Sequence, residues 1–277
     1  MAEARAFICG HPVAHSRSPL IHRHWLSELG LPGTYDPIDL PPDRAEAFFR
    51  ALPASGYVGG NVTLPNKETA FAAVASRDEA AEAIGAVNTI WIEKGHAIGG
   101  NTDAHGFLAN LDARAPGWDS RETALVLGAG GAARAVVYGL RRRGLTVLVA
   151  NRTEARAIEL AGALGARAIP WEDRNAACGA IDLMVNTTAL GMEGHDAGAL
   201  PIELDRLPDH ALVTDIVYAP LITPILAAAA ARGLAIVDGL GMLLHQAAPG
   251  FEHWFGLRPR VTEELRTLVT ADLERRA

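Results

Sequence analysis

Lysine is nearly missing from this chain. Of 25 lysines and arginines only Lys67 and Lys94 are lysine. Arginine keeps its proton in proteins whereas lysine can exchange one, so a lysine retained among arginines suggests acid–base work. Lys94 falls in a plain hairpin turn, Glu93-Lys94-Gly95, so its setting and that of Lys67 must be read before either is chosen. Cysteine is equally scarce. Cys9 and Cys178 lie far apart, each beside apolar residues, which points to buried free thiols and away from a disulfide or thiolate metal site. His22 and His24 point in different directions on their expected helix and no Cys or carboxylate cluster completes a set, so no metal is expected. An excess of positive charge is also lacking. The net charge of −7 argues against nucleic acid and anionic membrane as partners, and an anionic ligand must be held by local donors. No apolar run reaches membrane-spanning length, and Met1 to Cys9 lacks the apolar core of a secretory signal, so a cytoplasmic protein is expected.

What the chain does contain is glycine in a telling place. Thr123-Ala-Leu-Val-Leu-Gly-Ala-Gly-Gly-Ala-Ala-Arg reads as a strand, a tight turn and a helix from about Ala132 to Arg143. Gly128, Ala129, Gly130, Gly131 and Ala132 make the turn, and Ala133 fills the small third position of a dinucleotide-binding fingerprint. Backbone N–H groups and the positive helix end there suit a pyrophosphate. A second strand, Leu145 to Ala150, follows and ends in Asn151-Arg152-Thr153, where an NAD-binding unit usually carries an acid for the ribose 2′-hydroxyl. Arginine and threonine there suit a 2′-phosphate, so NADP is read over NAD. Arg152 also reads as a solvated arginine and Thr153 as the N-cap of the next helix.

Before this unit the chain alternates strands and helices. Ala6 to Cys9 is a strand leading to His15-Ser16-Arg17-Ser18-Pro19, where Ser18 reads as an N-cap and Pro19 as the first helical turn. Ser16 and Ser18 thus place two hydroxyls at a helix N-terminus, which suits a carboxylate, and Ser16 has no evident capping role. Tyr35 to Leu40 reads as a strand and Asp43 to Leu52 as a helix. Strand alternation then puts Asn61 and Thr63 on one face, with Lys67 on the helical turn beyond. Ser76-Arg-Asp-Glu79 reads as a capping box, and Ala86 to Ile92 as a strand turned by Gly95 into a hairpin. Asp103 reads as the N-cap of a helix running to about Arg114.

The chain resembles the shikimate dehydrogenases along essentially its whole length. The likeness rests on His15 to Pro19, Gly60-Asn61-Val62-Thr63 with Pro65 and Lys67, Gly85 to Thr89, and Asn101-Thr102-Asp103 with Gly106. The glycine turn, Asn151-Arg152-Thr153, Asn186-Thr187-Thr188 with Gly191-Met192, Asp215 to Tyr218, and Asp238 to Gln246 continue it. Thr187, Ala189 and Ala219 depart from the residues most common in that family. The resemblance implies NADPH-dependent, reversible reduction of 3-dehydroshikimate to shikimate, with Lys67 as acid–base residue and Asp103 as its partner. It implies that Ser16, Ser18 and Tyr218 take the substrate carboxylate, that Thr63, Asn88, Asp103 and Gln246 take ring hydroxyls, and that Asn61 supports the lysine or the ring edge. For NADP it implies the glycine turn, Asn151, Arg152, Thr153 and Arg156, together with Glu79, Thr188, Met192, Ile216, Gly239 and Met242.

The expected architecture is α/β. An N-terminal α/β substrate domain with a mostly parallel sheet, residues 1–102 and 239–277, accompanies a Rossmann-type NADP-binding domain, residues 103–238, with the C-terminal helices returning to the first domain. A monomer or homodimer is expected, with the small-molecule substrate as its partner. Two other readings stand beside the enzyme: a non-catalytic NADP(H)-binding regulator on the same fold, and a quinate/shikimate dehydrogenase using NAD. Retention of Lys67 and Asp103 favours the enzyme, and Arg152-Thr153 favours NADP.

Overall fold

A computed structural model describes residues 3–192 and 200–276. The chain divides into two compact units, Met1–Thr102 with Leu244–Val269 and Asp103–Leu243 with Thr270–Ala277.

In the first unit β1 (Ala4–Gly10) lies between β2 (Gly33–Asp39) and β3 (Gly59–Val62), parallel to both. The hairpin of β5 (Thr89–Glu93) and β6 (His96–Gly100) joins β3 through an antiparallel pairing, and the two-residue β4 (Ser76–Arg77) completes the order β2-β1-β3-β5-β6-β4. The sheet is therefore mixed. Helices α1 (Ser18–Glu28), α2 (Pro42–Ala51), α3 (Lys67–Ala73) and α4 (Glu79–Ile84) occupy the connections. β1 is buried on both faces. Phe7 and Cys9 enter a core with Phe49, Val62 and Ile90, while Ala6 and Ile8 enter a second with Tyr35 and Trp254, as the two-residue period of a strand requires. The hairpin turn carries Lys94 at φ 50°, with its side chain 88% exposed.

Helix starts differ from the sequence reading, and the helix Asp103–Arg114 begins on Asp103 itself, the residue read as its N-cap. Ser18 is the first residue of α1 and Arg17 its cap position, while the Ser16 hydroxyl accepts a hydrogen bond from the Ser18 amide at 3.2 Å. Ser16 thus closes the turn that Ser18 was expected to close. At α4 the cap is Asp78, whose carboxylate accepts from the Ala81 amide at 2.6 Å, and Ser76 belongs to β4. A carboxylate directly before the helix reaches the orphan N–H groups that Ser76, two residues earlier, does not.

His22 is fully buried on α1, stacked on Tyr35 at 4.0 Å between ring centroids. Burial lowers its pKa from the ordinary 6.5 to about 3, with Asn61 opposing the shift. A histidine that stays neutral when folded but takes a proton when unfolded favours the unfolded chain as pH drops below 6.5, by about 1.4 kcal/mol per pH unit. Its share of stability is therefore present above 6.5 and lost toward pH 3. In denaturant titrations at pH 7 and pH 5, His22→Phe is expected to lose about 2 kcal/mol less between the two than the wild type does.

In the second unit every strand pairing is parallel, in the order β12-β11-β10-β7-β8-β9. The strands are β7 (Thr123–Leu127), β8 (Thr146–Ala150), β9 (Arg167–Ile169), β10 (Leu183–Asn186), β11 (Leu212–Asp215) and β12 (Ala235–Val237). Ala124 and Val126 face one core cluster and Leu125 and Leu127 the other, so helices cover both faces and β7 reads as one apolar run. α5 (Asp103–Arg114), α6 (Gly131–Arg142), α7 (Glu154–Leu164), α8 (Arg174–Ala177) and α9 (Pro224–Ala231) supply that cover. From β7 the chain moves outward to β8 and β9, then returns to β10 and moves the other way. That reversal opens a crevice at the carboxyl ends of the strands. α10 (Leu240–Phe255) and α11 (Glu263–Arg276) end the chain. No helix among the described residues is long and apolar enough to cross a membrane.

Candidate active site

In the first unit the predicted polar residues meet at the ends of β3, β5 and β6. Lys67 opens α3, and its carbonyl accepts the Val87 amide at 3.1 Å, which ties the first turn of the helix to the segment before Asn88. The turn leading to it is held by the Thr63 amide donating to the Cys9 carbonyl at 2.8 Å and by the buried Asn66, whose amide donates to the Leu40 carbonyl at 2.8 Å. Lys67 and Thr63 are half-buried and Ser18 is buried beside Tyr35.

Asn61 is 3% exposed, and its amide is committed to protein partners. The Tyr35 hydroxyl donates to its Oδ1 at 2.6 Å, and its Nδ2 donates to the Asn88 carbonyl and the Thr89 hydroxyl, each at 3.1 Å. Asn88 continues the chain of bonds. Its Oδ1 accepts from the Thr89 hydroxyl at 2.9 Å and the Thr102 amide at 2.9 Å, and the Thr102 hydroxyl reaches Gln246 Oε1 at 3.4 Å. Tyr35 and Asn66 are thus site-building residues that sequence reasoning missed, while Thr89 and Thr102 entered it only as motif residues without a role. Thr89 stands opposite Asn61 in the β3–β5 register, a pairing that no local pattern announces.

The second unit holds the remaining predicted residues except Glu79, which sits exposed in the first turn of α4 in the first unit. Asp103 is the first residue of α5 and half-buried. Around the glycine turn lies a cavity of about 370 Å³ lined by Gly128 to Gly130, Asn151, Arg152, Trp171 and Thr187 to Leu190. Gly128 has φ +110°, and a Cβ there would lie 2.5 Å from the Thr187 hydroxyl, so a side chain would both strain the turn and collide with the next loop. At Gly130 and Gly131 a Cβ would meet nothing within 4 Å, so the backbone at the start of α6 lies open. Arg152, Thr153 and Arg156 are exposed, and Asn151 Nδ2 braces the segment on the Thr153 carbonyl at 2.9 Å. Thr153 is the N-cap of α7 by position, without a side-chain cap bond.

Beneath the loop that carries Thr188 lies a buried carboxylate. Asp215 accepts from Asn186 Nδ2 at 3.0 Å, the Thr223 hydroxyl at 2.8 Å and the Val217 amide at 3.0 Å. Asn186 Oδ1 in turn accepts from the Thr188 amide at 3.2 Å and hydroxyl at 2.7 Å. Burial raises the Asp215 pKa above the ordinary 3.8, and the three donors oppose it. Ile216 follows this residue, and Tyr218 is half-buried in the same loop. The Ile216 carbonyl packs so closely on Gly239 that a Cβ there would lie 2.4 Å from it, and Met242 joins the core below α10's first turn. Met192 is 36% exposed at the edge of the described loop. Among the described residues no group of three or more His, Cys, Asp or Glu side chains is arranged to hold a metal ion. Cys9 and Cys178 are free and buried, and burial raises both thiol pKa values.

Family models agree with this geometry segment by segment. Residues 8–90 match the shikimate dehydrogenase substrate binding domain, 114–217 the shikimate/quinate 5-dehydrogenase model and 239–263 the shikimate 5′-dehydrogenase C-terminal domain. The chain belongs to the shikimate dehydrogenase family. Within the family, shikimate dehydrogenase (NADP(+)) of Brucella abortus (strain S19) is 57% identical over 99% of this chain and 96% of its own length. The enzyme of that name from Mesorhizobium japonicum is 57% identical over 98% of both chains. The solved shikimate 5-dehydrogenase of Thermus thermophilus, in complex with NADP(H) and shikimate, superposes with a TM-score of 0.85 at 40% identity, covering 98% of this chain and 99% of that one. A quinate dehydrogenase from Corynebacterium glutamicum in complex with NAD shares the fold at TM-score 0.88 and 29% identity, covering 97% of this chain and 99% of its own.

Proposed function

We propose that this chain interconverts 3-dehydroshikimate and shikimate using NADPH and NADP. The observation that carries this reading is near-full-length 57% identity to proteins named shikimate dehydrogenase (NADP(+)). The residues around the crevice fit the cofactor: an open backbone at the start of α6 for a pyrophosphate, and at Asn151-Arg152-Thr153 no acid to repel a 2′-phosphate. When bound, NADPH supplies the hydride.

The chain's own residues hold the substrate and move the proton. Lys67 gives a proton to the oxygen that becomes the new hydroxyl, with Asp103 assisting, and takes it back in the reverse direction. Ser16, Ser18 and Tyr218 hold the carboxylate, while Thr63, Asn88, Asp103 and Gln246 take ring hydroxyls, which a polyhydroxy acid needs because buried unpaired polar groups are costly. Asn61 acts through Asn88, since its own amide is spent on Tyr35, Asn88 and Thr89. Arg152, with Asn151, Thr153 and Arg156, reads the 2′-phosphate. Thr188, Met192, Ile216, Gly239 and Met242 shape the cofactor crevice beyond the glycine turn, and Glu79 contributes from α4.

Initial rates of NADP reduction with shikimate, repeated with NAD and with quinate, test the reading. Rates with NADP and shikimate well above those with NAD or with quinate are expected. Arg152→Ala is expected to raise the KM for NADP about 10-fold while leaving the KM for NAD unchanged, since it removes charge-assisted bonds that only the 2′-phosphate makes. Equal rates with NAD, or with quinate, in the wild type would overturn the specificity claimed, and NADP binding without turnover would leave a cofactor-binding regulator.

A further inference from the structure

Among the described residues that line the cavity at the glycine turn, Trp171 is the one aromatic side chain, and neither the glycine turn nor the phosphate-reading residues account for it. It stands directly after β9, in a short helical turn from Trp171 to Asp173. Its indole is half-buried and backed by Arg174, whose guanidinium carbon lies 4.3 Å from the ring centroid. That arginine is itself fixed, donating Nη1 to the Trp171 carbonyl at 2.6 Å and Nε to the Pro201 carbonyl. The tryptophan is thus fixed in place, part of its indole packed against the hydrophobic cluster that holds Leu125 and Ile169 and part of it forming the cavity wall.

The sheet order says which part of a dinucleotide meets it. β9 flanks β8, whose end carries Asn151 and Arg152, and both lie on the side of β7 opposite β10 and β11. Arg152 and Trp171 line the same cavity. A ligand with its pyrophosphate at the glycine turn and its 2′-phosphate at Arg152 brings its purine, attached to that same ribose, to the Trp171 side. Leu190 and Ala129 supply the apolar remainder of the wall. We propose that Trp171, braced by Arg174, is the stacking surface for the adenine of the adenosine 2′-phosphate half, and so a determinant of cofactor affinity that acts independently of Arg152. The inference rests on the cofactor reading above but not on the identity of the substrate.

The test is calorimetric binding of 2′,5′-ADP and of 5′-ADP, which lacks the 2′-phosphate, to the intact wild type and to Trp171→Leu, Trp171→Phe and Arg152→Ala. Stacking of one base on an aromatic ring predicts about 10-fold weaker binding of both nucleotides to Trp171→Leu, with their ratio unchanged. Trp171→Phe retains a ring and is expected to stay within about 3-fold of wild type. Arg152→Ala is expected to weaken 2′,5′-ADP alone. A spectroscopic signature accompanies this: 2′,5′-ADP quenches part of the wild-type tryptophan emission, and that part is lost in Trp171→Phe. Wild-type affinity in Trp171→Leu, or quenching that persists in full in Trp171→Phe, overturns the proposal. Because no substrate enters these measurements, a wild type that binds both nucleotides yet fails to oxidise shikimate would sink the proposed activity and leave this inference standing.

Discussion

Lys67→Ala is expected to lower kcat for shikimate oxidation by about 10²–10⁴-fold, the usual worth of a positioned general acid–base group. The substitution is clean because the backbone there is held independently of the side chain. The Lys67 carbonyl receives the Val87 amide, and the preceding turn is pinned by Thr63 and Asn66. A folded variant with wild-type melting is therefore expected, and loss of rate then reports on the ammonium. Lys67→Arg separates two roles. It keeps a positive charge but cannot exchange the proton at working pH, so if proton transfer matters it stays nearly as slow as the alanine variant. Recovery of most of the rate with arginine would mean that charge alone is needed. Asp103→Asn should fall in the same direction, and kcat within threefold of wild type in both Lys67→Ala and Asp103→Asn would remove the acid–base assignment.

The second large effect is structural. Asp215→Ala leaves the Thr223 hydroxyl and the Val217 amide without their acceptor in a fully buried site, and Asn186 Nδ2 with only the Leu190 carbonyl at 3.4 Å. Each orphaned donor costs about 1–3 kcal/mol, so a loss of about 3 kcal/mol or more is expected in denaturant unfolding. The same change frees Asn186, which orients Thr188. The KM for NADP should therefore rise more than the KM for shikimate, and an equal rise in both would show that the network does not act through the cofactor loop. The pH dependence has a definite sign. The folded state holds the Asp215 proton more tightly than the unfolded chain does, so this group's contribution is complete below the ordinary carboxylate range and lost as pH rises through the raised value. Asp215→Asn, which cannot ionise, lacks that loss.

The cofactor half of this protein was the more legible in sequence, for a physical reason. β7 is buried on both faces and so appears as an unbroken apolar run, and the turn after it needs glycine at Gly128 because a Cβ has no room. Both constraints act between neighbours in the chain. The substrate half depends on pairings distant in sequence. Asn61 looked like a group aimed at a ligand because strand alternation tells only which face it occupies; that the face also holds Tyr35 and Thr89 follows from the β1–β2, β1–β3 and β3–β5 registers. Asp215 was visible as part of a motif, yet its role emerges only when the ends of β10 and β11 stand side by side. Trp171 was passed over for a similar reason. One tryptophan after a three-residue strand carries no period to interpret, and its value lies in sharing a cavity with residues about 20 and 40 positions earlier.

The exposed Lys94 of the β5–β6 hairpin has a practical side. Its side chain is 88% exposed and the only other lysine, Lys67, is half-buried. Apart from the chain's α-amino group, an amine-directed dye or surface linker thus finds one accessible attachment point without any engineering. A fluorophore tethered there would report from the tip of the β5–β6 hairpin and leave the half-buried Lys67 unmodified.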